Sequence, residues 1–299
     1  MFHCFRGFLL GFLVAVFGFA LLHYAAMAPR LAGIGKQLVP MSAAQGEASP
    51  AGKIQPTAEQ APPSADSSAP VFEVDVEGIP AGMTARGTSF PLGSGLWLTA
   101  RHVVGDDCEQ IVLIIDGKNV FAKIKYLDQN ADLAVLQTEP VAVPPLPIEA
   151  ADPSEDEGAF AFGFPKGTLG ATADQLMGRA RMKLGGRLMG TAPVLTWTEL
   201  DRYPESFESL SGISGGPMLD ENGNVIGIIV AASVRRGRNY TVAPEILRAV
   251  QSELGLTGAQ REEMAARDAV TKPVSLDTSA HAMSKNDRIA LTYCIPPGS

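Results

Sequence analysis

The sequence predicts an all-β fold, built from short strands that close into a barrel or sandwich. Three observations predict it. Glycine (31) and proline (22) are plentiful in 299 residues, and helical stretches are few. Short apolar runs recur with turn signals between them. A helical spacing of apolar residues begins only at Pro244. The hydrophobic share of 46% is enough for a packed core, and the length fits one to two domains.

Before the strands come two segments of other kinds. From Gly7 to Leu22 every residue is apolar or glycine, and Ala25 to Ala28 continue the run. About 20 such residues cross a bilayer as a helix. Residues 1–28 are therefore expected to be a signal anchor, with a transmembrane helix over about 7–28, or a signal peptide cleaved at Ala26-Met27-Ala28. Residues 29–70 are rich in Ala, Pro, Ser, Gly and Gln, and a stretch such as Pro62-Pro63-Ser64-Ala65-Asp66 cannot bury a core. They read as a disordered linker holding the following domain off a membrane.

The folded domain is expected over 71–254. Ser89 to Leu98 reads as a strand running toward His102. Gln110–Ile115 and Val120–Ile124 flank Asp116-Gly117, a strong hairpin turn. Leu133–Leu136 is the next strand, and Pro140–Pro147 reads as a connector. Ala159–Phe164 opens a second set of strands, and Val194–Thr198 leads toward a glycine-rich loop. Met218-Leu219 and Val225–Ala232 form a hairpin around Glu221-Asn222-Gly223-Asn224. Ile246, Leu247, Val250 and Leu254 then lie at helical spacing, with Gly255 as a stop. Residues 255–299 are expected to hold a charged helix to about Ala269 and a polar tail. One apolar piece in that tail, Ile289–Ile295, has the length of an edge strand.

The stretch around which the chain is organised is Ser211-Gly212-Ile213-Ser214-Gly215-Gly216-Pro217. A nucleophilic serine must project into a cleft while nearby backbone N–H groups point at the oxyanion it creates. Glycines supply the close approach that both demand. A glycine-rich turn between strands is the plainer reading. Gly212-Ile213-Ser214-Gly215-Gly216 also fits the Gly-x-Ser-x-Gly of a nucleophile-elbow esterase, but its surroundings argue against one. Ser209-Leu210-Ser211-Gly212 is a poor strand, and Gly215-Gly216-Pro217 is a poor helix start. The only histidine after Ser214 is His281, in a polar tail. Upstream, His102 stands in the apolar Leu96–Val104, and Asp132 stands before Leu133-Ala134-Val135-Leu136. His102, Asp132, Ser214 is a recurring order of the Ser-His-Asp triad.

These blocks resemble those of chymotrypsin-like serine proteases. Thr99-Ala100-Arg101-His102-Val103-Val104, Asp132-Leu133-Ala134-Val135-Leu136 and Gly212-Ile213-Ser214-Gly215-Gly216-Pro217 look most like the bacterial high-temperature-requirement (Do-like) branch. Gly93-Ser94-Gly95, Phe162-Gly163-Phe164-Pro165 and Tyr240-Thr241-Val242-Ala243-Pro244 add to the likeness, which covers roughly 85–250. It implies a double β-barrel with Ser214 as nucleophile, His102 as general base, Asp132 orienting the imidazole, and the N–H groups of Gly212 and Ser214 as oxyanion hole. It implies peptide-bond hydrolysis through an acyl-enzyme, without cofactor or metal. Two departures stand out. Ile213 replaces the usual Asn or Asp, and no PDZ-like domain is expected after Leu254. Ile213 leaves open a weak or inactive protease fold used as a binding scaffold. If active, the domain should need no newly cut amino terminus, because Ile213 cannot pair with one.

The resemblance also places a specificity residue six positions before the serine, at Glu208. A desolvated Glu208 would favour Lys or Arg in the substrate; a solvated one would select nothing. The expected partners are polypeptide substrates and, through the N-terminal helix, a membrane. An oligomer is compatible with the sequence. A net charge of −8 argues against nucleic acid. The domain is expected outside the cytoplasm, in the periplasm if bacterial, or secreted after signal cleavage. There Cys108 and Cys294 would be the two cysteines beyond the membrane, either bridged or free according to their spacing.

Overall fold

The computed structural model describes residues 70–72, 84–105, 108–148, 152–184, 190–256 and 275–298. All of them fall in the compact unit Gln60–Ser299. No helix among them is long and apolar enough to cross a membrane. The apolar segment 7–28, the linker before Pro70 and the helix expected over 257–269 lie outside the described residues.

The described residues fold as two six-stranded β-barrels with few helices. The first is built from β2 (Ala85–Gly93), β3 (Leu96–Thr99), β4 (Gln110–Ile115), β5 (Lys118–Leu127), β6 (Ala134–Thr138) and β13 (Ala290–Ile295). Its closed order is β13-β2-β3-β6-β5-β4. The single strand expected from Ser89 to Leu98 is a hairpin instead. Gly93, Ser94 and Gly95 all take positive φ and turn the chain. At Asp116-Gly117 both residues are left-handed, as a two-residue primed turn requires.

β13 is no edge strand. It pairs antiparallel with β2 on one side (Thr292 opposite Gly87) and with β4 on the other (Thr292 opposite Leu113). The tail thus supplies the strand that closes the first barrel, and its backbone groups are paired on both sides. Cys294 and Cys108 form a disulfide with Cα atoms 5.2 Å apart.

The second barrel comprises β7 (Gly158–Gly163), β8 (Gly170–Lys183), β9 (Thr191–Tyr203), β10 (Pro217–Leu219), β11 (Val225–Ser233) and β12 (Arg238–Val242). Its order is β8-β7-β10-β11-β12-β9, and β9 returns to β8 to close it. The short β1 (Val71–Phe72) adds to β8 in parallel. β8, the longest strand, is rich in charge and was not legible as a strand. Trp197, Leu195, Met218 and Ile229 fill this interior, and Trp197 donates its indole N–H to Thr241 Oγ1 at 2.9 Å. α1 (Pro244–Glu253) ends at Gly255, which is left-handed. α2 (Leu276–Lys285) packs on the second barrel, against β8, immediately before the chain returns to the first as β13.

Candidate active site

His102 lies in the single 3-10 turn Arg101–Val103 that follows β3. Asp132 lies in the loop 128–133 before β6. That loop is shaped by Asp128, which is buried. Its Oδ1 accepts the N–H groups of Asn130 and Ala131 at 2.8 and 2.9 Å, and its carbonyl accepts Arg101 Nη1 at 2.5 Å. Asp128 therefore ties the loop of Asp132 to the turn of His102.

The Asp132 carboxylate then grips His102 with both oxygens. Oδ1 accepts the backbone N–H of His102 at 2.8 Å, and Oδ2 meets Nδ1 at 2.6 Å. A carboxylate only accepts, so Nδ1 carries the proton and Nε2 is left as a basic lone pair. Asp132 keeps 6% of its side-chain surface exposed and His102 27%. Burial pulls the imidazole pKa down, but the charge of Asp132 and its hydrogen bond outweigh this and hold it above the ordinary value.

The serine loop is held on three sides. Against β11, Gly215 N–H donates to Ile229 O at 2.7 Å and Ile229 N–H donates to Gly216 O at 2.9 Å. Against β2, Thr88 N–H donates to Ser214 O at 2.8 Å, and Thr88 Oγ1 donates to Gly212 O at 2.9 Å. Below, Lys166 N–H donates to Ser211 O at 2.6 Å. Its glycines leave no room for a side chain, and Gly215 and Gly212 also take positive φ. Gly215 has φ +85, and a Cβ there would stand 2.1 Å from Thr88 O and 2.9 Å from Ala100 N. Gly212 has φ +103, and its Cβ would stand 2.5 Å from Phe164 O. The loop thus comes to rest against Ala100, two residues before His102. Ser214 is half-buried and makes no side-chain hydrogen bond to His102; such bonds are often long without substrate. Among the described residues, the N–H groups of Gly212 and Ser214 donate to nothing.

Ile213 is 1% exposed and points into the second barrel's core with Leu210, Met218 and Ile229. An apolar side chain anchors the loop where an acidic one would need a buried partner. Glu208, expected at the base of the specificity pocket, is exposed. Of the two readings of Glu208, the structure supports the solvated one: the loop before Leu210 turns it to solvent. Three supports carried no mark in the sequence: Thr88, Thr99 (whose Oγ1 donates to Thr88 O at 2.7 Å) and Asp128. Phe162-Gly163-Phe164-Pro165 was visible as a motif, but not its seat beneath Gly212.

Residues 87–228 match the trypsin-like peptidase domain family. The chain is 31% identical over 163 residues to a protein of Bartonella henselae named a probable periplasmic serine endoprotease, DegP-like, covering 53% of this chain and 30% of that protein. It is 26% identical over 150 residues to the serine protease Rv3671c of Mycobacterium tuberculosis, covering 50% and 36%. The chain thus spans about a third of the length of these relatives. The solved active form of the M. tuberculosis protease aligns at TM-score 0.49 and 20% identity, over 66% of this chain and 95% of that one.

Proposed function

We propose, on the premise that residues 87–228 are a trypsin-like peptidase domain, that this chain is a serine endopeptidase using Ser214, His102 and Asp132. One observation carries the reading: the two-oxygen grip of Asp132 on His102, which leaves Nε2 as base beside the serine loop. Ser214 Oγ attacks the carbonyl carbon as its proton passes to Nε2. The oxyanion is received by the N–H groups of Gly212 and Ser214, which are otherwise unspent. Collapse breaks the C–N bond, and His102 hands the proton to the leaving amine. Water then attacks the acyl-enzyme, again giving its proton to His102. This releases the acid and restores the Ser214 hydroxyl.

The scaffold reading rests on Ile213, which flanks the oxyanion hole between Gly212 and Ser214. Its burial in the apolar core, with Ile213 N–H donating to Leu210 O at 2.9 Å, supports an upright loop instead. We place the domain outside the cytoplasm, tethered by segment 7–28 through the linker 29–70. The Cys108–Cys294 bridge supports an oxidising compartment.

The test is hydrolysis of an unfolded protein substrate by Ser214→Ala, His102→Ala and Asp132→Ala. Each should lose activity by orders of magnitude, and the double variants should lose little more, because the three act as a unit. A fully active His102→Ala beside an inactive Ser214→Ala would refute the assignment.

A further inference from the structure

Around the Pro165–Gly167 turn, whose backbone packs against Gly212, lie two cations that the reaction does not use. Arg86 is exposed on β2, two residues before Thr88. Its Nη1 and Cδ each come within 3.8 Å of the point where a Cβ on Gly167 would sit, so the side chain lies along the Pro165–Gly167 turn. Its guanidinium carbon is 6.0 Å from the ring centroid of Tyr293. Lys166 is the exposed centre of that turn. Its backbone N–H holds Ser211 O, and that backbone nitrogen stands 3.2 Å from where a Gly212 Cβ would be. Among the described residues neither cation has a carboxylate partner, in a chain of net charge −8.

The backbone of β2 backs onto the turn of His102, since a Cβ on Gly87 would meet Val103 Cγ1 at 2.4 Å. Arg86 leaves the strand on the outer face, where β2 meets the Pro165–Gly167 turn. β11 flanks Ser214 on the other side, through Gly215 and Ile229. His102 protonates the amine that departs, so the departing part of the substrate passes over the β2 side.

We propose that Arg86 and Lys166 are specificity-determining residues that bind a carboxylate in the leaving part of the substrate. The inference rests on the endopeptidase reading. The carboxylate has two sources: an Asp or Glu side chain shortly after the scissile bond, or the terminal α-carboxylate of a chain cut near its end. An Arg fork suits either.

The test uses the full chain and fluorogenic peptides identical up to the scissile bond. The second residue beyond it is Glu, Gln or Lys with an amidated end, or Gln with a free terminal carboxylate. The wild type should prefer Glu, the free acid, or both over amidated Gln in kcat/KM by about five-fold, the scale of an exposed ion pair. The preference should weaken as salt rises. Preference for Glu alone identifies the side-chain source, and preference for the free acid alone identifies the terminal one. Arg86→Glu with Lys166→Glu should invert the Glu-to-Lys ratio. Equal rates on all peptides in the wild type, or a ratio untouched in the double variant, overturn the proposal while leaving the endopeptidase reading intact. A wild type that cleaves none of them and takes no fluorophosphonate on Ser214 overturns both.

Discussion

Gly215→Ala perturbs the seating of Ser214 and nothing else in its chemistry. A methyl group at Gly215 would stand 2.1 Å from Thr88 O, 2.3 Å from Thr99 Oγ1 and 2.9 Å from Ala100 N. Ordinary contacts lie near 3.5 Å, so the loop must retreat by about 1 Å or more. Two of the three atoms are backbone, and no side-chain rotation relieves them. The retreat strains the Thr88 N–H bond to Ser214 O and the Gly215 N–H bond to Ile229 O. A displacement of about 1 Å at a reacting atom costs roughly 10²-fold in rate. The left-handed backbone of Gly215 adds about 1 kcal/mol for alanine, and each weakened hydrogen bond about 1 kcal/mol more. The expected variant is folded, destabilised by about 2–4 kcal/mol and slowed at least about 10²-fold. The assay is kcat/KM on a peptide together with a thermal melt. Gly117→Ala is the control: φ is +68, but no atom lies within 4 Å, so it should lose some stability and keep its kcat/KM. A Gly215→Ala enzyme with kcat/KM close to wild type would refute the reasoning.

Other consequences follow from single groups. Asp132→Asn removes both influences that raise the His102 pKa and leaves burial, which lowers it. Activity requires neutral imidazole, so the acid limb of kcat/KM should move to lower pH while kcat falls by about 10²-fold or more; an unmoved limb would contradict the coupling. Burial pushes Asp174 up to about 7, against hydrogen bonds from Thr172 and Asn239. The folded chain then holds a proton that the unfolded chain releases near pH 4. Stability is complete below that value and declines as pH rises to about 7, by about 1.4 kcal/mol per unit. Asp174→Asn should flatten that slope in urea titrations at several pH values, and parallel slopes would count against it. Cys294→Ser opens a closure of 186 residues, worth at most about 5 kcal/mol in the chain-entropy model. Its melting temperature should fall sharply, whereas an unchanged melt would show that pairing by β13 alone holds the first barrel shut.

How much of this was legible depends on how local each signal is. His102, Asp132 and Ser214 each sit in a distinctive short run. The Asp116-Gly117 and Glu221–Asn224 turns are written in adjacent residues. β8 was hidden because Asp174, Gln175, Arg179 and Arg181 break its apolar pattern. It is a strand because β7 and β9 satisfy its backbone from both sides. The apolar piece at 289–295 was visible, but its place between β2 and β4 depends on partners nearly 200 residues away, beyond any local pattern. Thr88 reads as an ordinary strand threonine. Its role exists only where Ser214 O, Gly212 O and the Phe164 N–H converge on it. Glu208 shows the limit of counting back from the serine, which presumes a loop length: this loop leaves the carboxylate in water, as the solvated reading has it.

The central claim is that Ser214 is a nucleophile activated by His102. Its most direct test is covalent labelling of the full chain with a fluorophosphonate, followed by peptide mapping. The account predicts one adduct, on Ser214, absent from Ser214→Ala and formed far more slowly in His102→Ala. No adduct on the folded wild type, or an adduct on another serine, would contradict it.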